Sequence, residues 1–394
     1  MRKWRSGQSQ QTVNLPASAF EGSNPSRRTK SHKPAKWRVC AIITPMETVP
    51  QIRTVGSAST EEKENAKQEL IQKLFSHFES LKPDEREQLE KLEYPKSPTE
   101  LALINFNNKE TDELMEQAGI EPYDIPIENF HIVPPELYKK TAGDDSVAST
   151  FTRKQGILFN AQEFRNNPVS FGKTVLHEMM HLKAHLSLEV TEKDDVKKED
   201  EKENAVITNL YRRGVKAGSS QKHDDTGKAH EHFKGLDEAI IETQVKRSLL
   251  KLIDTPELSK EKEWLLSEKA QQLKNDLVDR KRIPKDDIVW IGEKGEDDWV
   301  GASYPKHREV LDYVCSEIQK QFPEQYHYKN DVFKEFLKAH FTGQLLPIAR
   351  LVEKTFGEGN FRILGNMEVE GGSAILHLET LKKARGRQIR SNTI

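Results

Sequence analysis

Residues 174–182 read TVLHEMMHL and contain the motif His-Glu-X-X-His between His177 and His181. Residues four apart on an α-helix share a face, so both imidazoles can reach one metal ion. Glu178 follows the first histidine, and its carboxylate can take a proton from a water bound to that ion. Zn²⁺ lowers the pKa of such a water to about 7, which makes hydroxide available at neutral pH. The motif therefore predicts a zinc site with Glu178 as the general base.

The residues that flank this motif are strongly apolar and predict a buried helix over about residues 168–188. Burying two histidines and a glutamate without partners is costly, and a metal ion would satisfy all three side chains. The alternative is a core helix whose histidines and glutamate form hydrogen bonds with neighbouring groups. The identity of a third ligand decides which class of metal site is present.

His185 continues the four-residue spacing, but distance excludes it as the third ligand. Eight residues of straight helix separate His177 from His185 by about 12 Å, whereas zinc–nitrogen bonds are about 2.1 Å long. Sites of the HExxHxxGxxH class avoid this problem with a glycine turn. Ala184 and Ser187 occupy the glycine and third histidine positions here, so that class is excluded.

A second motif, GLDEAIIET, occupies residues 235–243. Glu238 and Glu242 are again four apart, with apolar residues between them, on one face of a helix predicted to begin near Gly235. If this helix is buried, both carboxylates need a cation or hydrogen-bond donors opposite them. The alternative is an ordinary amphipathic helix that carries two carboxylates on its surface.

Together, the two motifs resemble those of glu-zincin metallopeptidases, the thermolysin-like class, in which HExxH precedes a helix with the pattern N-E-A-x-x-D/E. The resemblance covers residues 174–243, and the second motif matches through Asp237-Glu238-Ala239-Ile240-Ile241-Glu242. It implies that Glu238 is the third zinc ligand and that Glu242 accepts a hydrogen bond that orients His177. Asp237 stands where the family has Asn, and Lys183 stands where the family helix usually has a hydrophobic residue.

Peptide hydrolysis at zinc also needs a group that stabilises the oxyanion, commonly a Tyr or His. Tyr304 is favoured because it lies in the loop DDWVGASYP ahead of an amphipathic helix, and His307 is the second candidate. Further candidates before the second motif are Tyr211, His223, His230 and His232. The run GILFN (156–160) is predicted to be a strand, either an edge strand that binds an extended peptide by β-augmentation, a core strand, or both.

The order of predicted elements indicates an α+β fold, with a small mixed or antiparallel sheet over the HExxH helix and a mostly helical C-terminal half. Residues 1–58 are predicted to be a disordered basic tail and residues 59–125 a helical subdomain. Residues 126–394 are predicted to form a zincin-like metallopeptidase domain. Its parts are the sheet and active-site helix (126–190), a charged loop (191–234) and the helical half (235–394).

The 394-residue chain is nearly neutral, with 61 Lys and Arg residues, 63 Asp and Glu residues and a formal net charge of −2. This balance argues against a dedicated nucleic-acid-binding protein, which usually has a basic excess. Two cysteines, Cys40 and Cys315, exclude a disulfide framework and a CxxC zinc site. Any metal must therefore be bound by His, Asp or Glu.

The sequence contains no run of 18 consecutive apolar residues, so no transmembrane anchor is predicted. Its basic N-terminus lacks the apolar core of a Sec signal peptide. These features predict a cytoplasmic protein, or one exported by a non-Sec route.

The combined prediction is a zinc metalloendopeptidase with one Zn²⁺ per chain and a peptide or protein substrate. One alternative is a catalytically inactive zincin-like module that serves binding or structure. Another is a toxin or effector protease whose basic tail serves delivery. The sequence leaves the substrate and the oligomeric state open.

Overall fold

The computed structural model describes residues 49–143, 146–164, 166–192, 206–223, 229–370 and 372–392. These residues form a mixed α+β fold dominated by helices, which confirms the predicted fold class at that level. The strands are β1 (Ile52–Val55), β2 (Phe130–Val133), β3 (Ala148–Phe151), β4 (Gly156–Asn160), β5 (Leu186–Glu192), β6 (Val206–Arg213), β7 (Lys216–His223), β8 (Ala229–His232), β9 (Ile288–Ile291) and β10 (Trp299–Gly301).

The helices follow the same chain order. They are α1 (Thr60–Phe75), α2 (His77–Ser80), α3 (Pro83–Leu92), α4 (Pro98–Gln117), α5 (Pro135–Ala142), α6 (Ala161–Phe164), α7 (Pro168–Lys183), α8 (Lys234–Ile253), α9 (Ser259–Leu266), α10 (Glu268–Lys281), α11 (Pro305–Gln321), α12 (Lys329–Thr342), α13 (Leu345–Phe356), α14 (Phe361–Gly365) and α15 (Ser373–Asn392). Within the described part of the chain, every helix is too short or too polar to cross a lipid bilayer.

The largest sheet has the strand order β1-β5-β6-β7-β8, in which β1 runs parallel to β5 and the other neighbours are antiparallel. β1 corrects the predicted tail, because Ile52–Val55 lies within residues 1–58 and yet pairs with β5. Ile52 is buried with Leu188 and Val190 in a small apolar core, and this burial explains why the segment forms a strand. The remaining tail residues, 1–48, lie outside the described residues.

Strands replace the predicted charged loop of residues 191–234 over much of its length. The polar segment 217–232 was predicted to be a loop, but it contains most of β7 and all of β8. β6 and β7 pair across a tight turn at Gly214, whose φ of +59° suits a hairpin. Backbone pairing across such a turn does not require alternating apolar residues, which explains why the hydrophobic pattern missed it. Residues 193–205, with most of the charge run, lie outside the described residues.

A three-stranded sheet with the order β2-β4-β3 lies next to α7. β4 is the predicted GILFN strand, and it pairs with β2 in parallel and with β3 antiparallel. The prediction that GILFN is an edge strand is therefore wrong, and the alternative of a core strand is confirmed. Its almost continuous apolar run is typical of a strand with neighbours on both sides. β3 provides an edge of this sheet instead.

α7 carries the HExxH motif and is buried along nearly its whole length. The Asn167 side chain caps the helix by accepting a hydrogen bond from the Ser170 backbone N–H at 2.9 Å. The helix ends at Lys183, earlier than predicted, because β5 begins at Leu186. Lys183 is buried and donates to Asp112 Oδ1 at 2.6 Å, so its charge has a partner at this position.

α4 joins the predicted helical subdomain to the rest of the molecule. Leu103 and Met115 of α4 lie in the same apolar core as Met179 of α7 and Ile241 of α8. The Asn107 side chain also donates to a backbone carbonyl of α7 at 2.9 Å. Residues 59–125 are helical as predicted, but α4 shares the main core instead of forming a separate one.

α8 carries the second motif and packs directly against α7. Gly172 of α7 allows this close approach, since a Cβ there would lie 2.7 Å from Leu252 Cδ2 of α8. α11 and α12 also pack against α8. The two predicted motifs therefore lie on neighbouring buried helices in the centre of the fold.

Candidate metal centre

His177 and His181 on α7 converge with Glu238 on α8, and all three side chains are buried. The two His Nε2 atoms lie 3.3 Å apart. Glu238 Oε2 lies 3.5 Å from His177 Nε2, and Glu238 Oε1 lies 3.7 Å from His181 Nε2. Tetrahedral zinc with bonds of about 2.0–2.2 Å places its ligand atoms about 3.3–3.6 Å apart. The Nε2–Nε2 distance and the Glu238–His177 distance fall within this range, and the Glu238–His181 distance, to the other carboxylate oxygen, lies just above it. The three side chains could therefore hold one zinc ion after a small adjustment of Glu238.

This group stands out among the described residues. Among the described residues, His177, His181 and Glu238 form the one set of three or more His, Cys, Asp or Glu side chains whose ligand atoms all lie within 4.8 Å of one another. Glu238 Oε2 is also buried without a hydrogen-bond partner in the described part of the structure. A buried carboxylate oxygen in that situation is costly unless a cation or a donor satisfies it.

The three side chains have shifted pKa values, and those of Glu238 and His177 are raised. Burial raises the pKa of Glu238 to about 7. Burial alone would lower the pKa of His177, but the neighbouring carboxylates of Glu242, Glu238 and Glu178 outweigh it and raise that pKa to about 9. Burial, with the nearby positive charge of Arg213, lowers the pKa of His181 well below its ordinary value. A divalent cation could take the place of the bound protons at such a site.

Glu242 lies behind His177 on the side away from the other ligands. Its Oε1 lies 2.7 Å from His177 Nδ1, and its Oε2 accepts a hydrogen bond from the Ser303 backbone N–H at 2.6 Å. Lys173 Nζ lies 3.4 Å from the same Oε2. Burial would raise the pKa of Glu242, but Lys173 and His177 hold it well below its ordinary value. Glu242 is therefore an ionised acceptor that can fix the orientation of His177.

Asp237 occupies the corresponding place behind His181. Its Oδ2 lies 3.8 Å from His181 Nδ1. Its Oδ1 accepts a hydrogen bond from the Val215 backbone N–H at 3.2 Å and lies 2.9 Å from His340 Nδ1. Burial would raise the pKa of Asp237, but the charge and hydrogen bond of His340 lower it overall. The sequence motif contains Asp237, whereas no local pattern around His340 on α12 pointed to this site.

Glu178, the predicted general base, is buried beside His177 and faces strand β3. The Thr150 hydroxyl lies 2.6 Å from Glu178 Oε2 and donates to it. Thr150 lies on β3, the edge strand of the three-stranded sheet. Sequence reasoning missed Thr150, because the one serine and the one threonine of β3 gave no separate signal.

Tyr304 precedes α11 with a left-handed φ of 52°, which is uncommon for a non-glycine residue. Burial raises its pKa well above the ordinary range, and the negative charges of Glu238, Glu242 and Glu178 add to this effect. The phenol therefore keeps its hydrogen at neutral pH.

The structure places the other oxyanion candidates differently. The His307 ring contacts Tyr304 edge-on, with ring centroids 5.7 Å apart. His307 Nε2, however, is engaged by the Glu368 carbonyl at 2.7 Å. Tyr211 is partly exposed on β6, and His232 ends β8. The side chains of His223 and His230 lie outside those that the structure describes.

Comparison with protein-family models, with curated proteins and with solved structures finds no match to this chain. The functional argument therefore depends on the geometry of the metal centre and on the two sequence motifs.

Proposed function

We propose that the protein is a zinc-dependent metallopeptidase of the glu-zincin type. The observation that carries the proposal is the convergence of His177, His181 and Glu238, whose ligand atoms all lie within 4.8 Å of one another. These residues would hold one Zn²⁺, with Glu242 and Asp237 orienting the two imidazoles. The substrate would be a peptide or protein bound in an extended conformation.

Each remaining residue of the centre has a role in this proposal. Zinc, when bound, supplies a Lewis acid and lowers the pKa of a coordinated water. Glu178 accepts a proton from the attacking water at its carboxylate and then delivers it to the leaving amine. Tyr304, protonated at neutral pH, donates a hydrogen bond to the oxygen that becomes negative during the reaction. Strand β3 offers the backbone edge against which an extended peptide can pair.

The alternative is a zincin-like module in which the metal serves structure or binding alone. Structural zinc sites are closed by four protein ligands, whereas catalytic sites keep one position open. In the described residues, three side chains meet at the required spacing, and that count favours an open site. The toxin or effector hypothesis depends on residues 1–48, which lie outside the described residues.

The test combines metal analysis with a peptidase assay on the full-length chain. Wild-type protein is supplied with zinc and desalted, and its zinc content is measured beside Glu238→Ala, Glu178→Gln and the exposed control Glu116→Gln. Hydrolysis is measured on a mixed-sequence library of fluorogenic peptides. We expect about one zinc per chain in wild type, Glu178→Gln and the control, and little in Glu238→Ala. Hydrolysis should be lost in both site variants.

Each opposite result has a separate meaning. A wild-type chain that takes up no zinc would overturn the metal centre. Zinc retained in full by Glu238→Ala would remove Glu238 from the ligand set. Stoichiometric zinc without hydrolysis of any peptide would favour the structural or binding module.

A further inference from the structure

His340 is a fully buried histidine that connects the two helices of the metal centre. It lies near the end of α12, and its Nδ1 is 2.9 Å from Asp237 Oδ1 on α8. Its Nε2 is 3.1 Å from the carbonyl oxygen of Met180, the residue that precedes the ligand His181 on α7. Both ring nitrogens therefore face acceptors, one on each ligand-bearing helix.

We infer that His340 is a positioning residue of the metal centre, which acts through Asp237 on the ligand His181. This inference rests on the proposed zinc site, because it concerns how firmly that site binds its metal. It assigns a role to a residue 159 positions beyond His181 in the sequence.

Two donors fix one oxygen of this carboxylate. Oδ1 lies 2.9 Å from His340 Nδ1 and 3.2 Å from the Val215 backbone N–H. Gly214 packs closely against the same pair, since a Cβ there would lie 2.5 Å from Asp237 Oδ1 and 2.6 Å from His340 Nδ1. With Oδ1 engaged by both donors, the carboxylate has little freedom to rotate.

The second oxygen, Oδ2, is consequently turned toward His181. It lies 3.8 Å from His181 Nδ1, and both atoms are buried without another hydrogen-bond partner in the described part of the structure. A histidine that binds metal through Nε2 carries its hydrogen on Nδ1 and needs an acceptor there. Asp237 Oδ2 faces this position from 3.8 Å, which is longer than a hydrogen bond, so a small closing movement would make it the acceptor. His340 holds the carboxylate in the orientation that this movement needs.

His340 also fixes the backbone beside the ligand. Its contact with the Met180 carbonyl holds the last turn of α7, and its own carbonyl accepts a hydrogen bond from the His185 backbone N–H at 3.1 Å. The ring thus spans the distance between α7 and α8 at the level of the metal ligands. Because both partners are acceptors, the ring makes both hydrogen bonds only when each of its nitrogens carries a hydrogen. The two bonds make separate predictions, because one reaches Asp237 and the other reaches the backbone.

Two substitutions separate these bonds. The amide of His340→Asn can place a donor near the former Nδ1 and so retain the bond to Asp237. The longer amide of His340→Gln can place its donor near the former Nε2, which retains the bond to Met180 and loses the bond to Asp237. The zinc dissociation constants of wild type and both full-length variants are measured by competition with a chromophoric chelator. Thermal unfolding of the metal-free proteins is measured in parallel.

We expect His340→Gln to bind zinc at least about tenfold more weakly than wild type, the range typical of residues that orient metal ligands. His340→Asn should stay within about threefold of wild type by the same comparison. A purely structural role would lower the unfolding temperature of both metal-free variants and would not separate their zinc affinities.

The outcomes distinguish this inference from the proposed function. If wild type binds zinc and the two folded variants bind it equally well or equally poorly, the positioning role is overturned while the metal centre stands. If wild type binds no zinc, the metal centre fails and the inference fails with it. A weaker Gln variant beside a nearly normal Asn variant supports both.

Discussion

Thr150 is the residue that connects Glu178, the proposed general base, to the edge strand. Its hydroxyl donates to Glu178 Oε2 at 2.6 Å, and in the proposed mechanism the same carboxylate accepts a proton from the attacking water. Removing the hydroxyl in Thr150→Val should lower kcat about tenfold, because hydrogen bonds to charged groups contribute about 1.5–3 kcal/mol and about 1.4 kcal/mol corresponds to a factor of ten in rate. KM and zinc content should change little. Steady-state kinetics on a peptide identified by the library screen will measure both parameters.

Thr150→Ser is the matched control, since it keeps the hydroxyl and loses only a methyl group. Its kcat should return to within about threefold of wild type if the hydrogen bond to Glu178 is what matters. Equal losses of kcat in both variants would assign Thr150 to packing of β3. A rise in KM at constant kcat would instead assign it to peptide binding.

Whether the sequence reveals a residue of the site depends on how far that residue lies, along the chain, from the residues with which it interacts. His177 and His181, like Glu238 and Glu242, share a helix face at a spacing of four, so one sequence window shows each pair. The residues that orient them, such as Thr150 and His340, come from distant elements. Only the packing of β3 and α12 against α7 and α8 brings them to the centre, and no periodic pattern encodes such a contact.

At the scale of elements, β1 is a strand at the N-terminal end of the described chain that completes the large sheet. It pairs with β5, and a nearby backbone bond joins Ala58 N–H to the Val190 carbonyl at 3.1 Å. Deleting residues 1–58, the full predicted tail, would remove this strand and expose the apolar residues of β5. Urea unfolding followed by circular dichroism should show a loss of about 2–4 kcal/mol, from the buried side chains of Ile52 and Ala58 and from several hydrogen bonds.

Deleting only residues 1–48 is the control for the β1 prediction, because it leaves every described contact intact. Equal stability of the two truncated chains would mean that β1 contributes nothing measurable to the fold. The comparison also decides where an activity experiment on the basic tail should cut the chain.

Two of the strands that sequence reasoning missed, β7 and β8, share one physical property. α7 and α8 were predictable because their burial requires a continuous apolar face, and β4 was predictable because it is apolar throughout. β7 and β8 are held by backbone pairing and present polar residues, so their composition is typical of a loop. Such strands are defined by their neighbours, and a single sequence gives little information about those neighbours.

At the scale of the whole molecule, a buried histidine pair joins the N-terminal helices to the three-stranded sheet. His77 of α2 and His131 of β2 face each other through their Nε2 atoms at 2.8 Å. His77 Nδ1 donates to the Lys154 carbonyl, and His131 Nδ1 lies 2.9 Å from Glu93 Oε2. His77 must therefore accept at Nε2, and a second proton on its ring would break the bond to His131.

This arrangement predicts that the fold loses stability in acid. Burial lowers the pKa of His77 to about 4, and the charges of His131 and Lys154 act in the same direction. The hydrogen bond to the Lys154 carbonyl and the charge of Glu93 oppose this shift. An unfolded histidine has a pKa of about 6.5. Above that pH both states are neutral at His77. Between about 6.5 and 4 the unfolded state alone binds the proton, so stability falls as the pH falls, by about 3 kcal/mol in total.

The measurement is the free energy of urea unfolding at several pH values between 7.5 and 4.5. Wild type should lose stability over this range, and His77→Gln, which cannot titrate, should show a flatter dependence even if it is less stable at pH 7.5. His327→Gln, at an exposed position, should keep the wild-type slope.

Glu93, the partner of His131, titrates in a different range. Burial alone would raise the pKa of Glu93, but its hydrogen bond to His131 outweighs burial and lowers that pKa overall. The acid dependence that Glu93 contributes therefore lies mainly at lower pH, below its unfolded pKa of about 4.3. An unchanged slope in His77→Gln would show that the acid sensitivity of the molecule arises elsewhere.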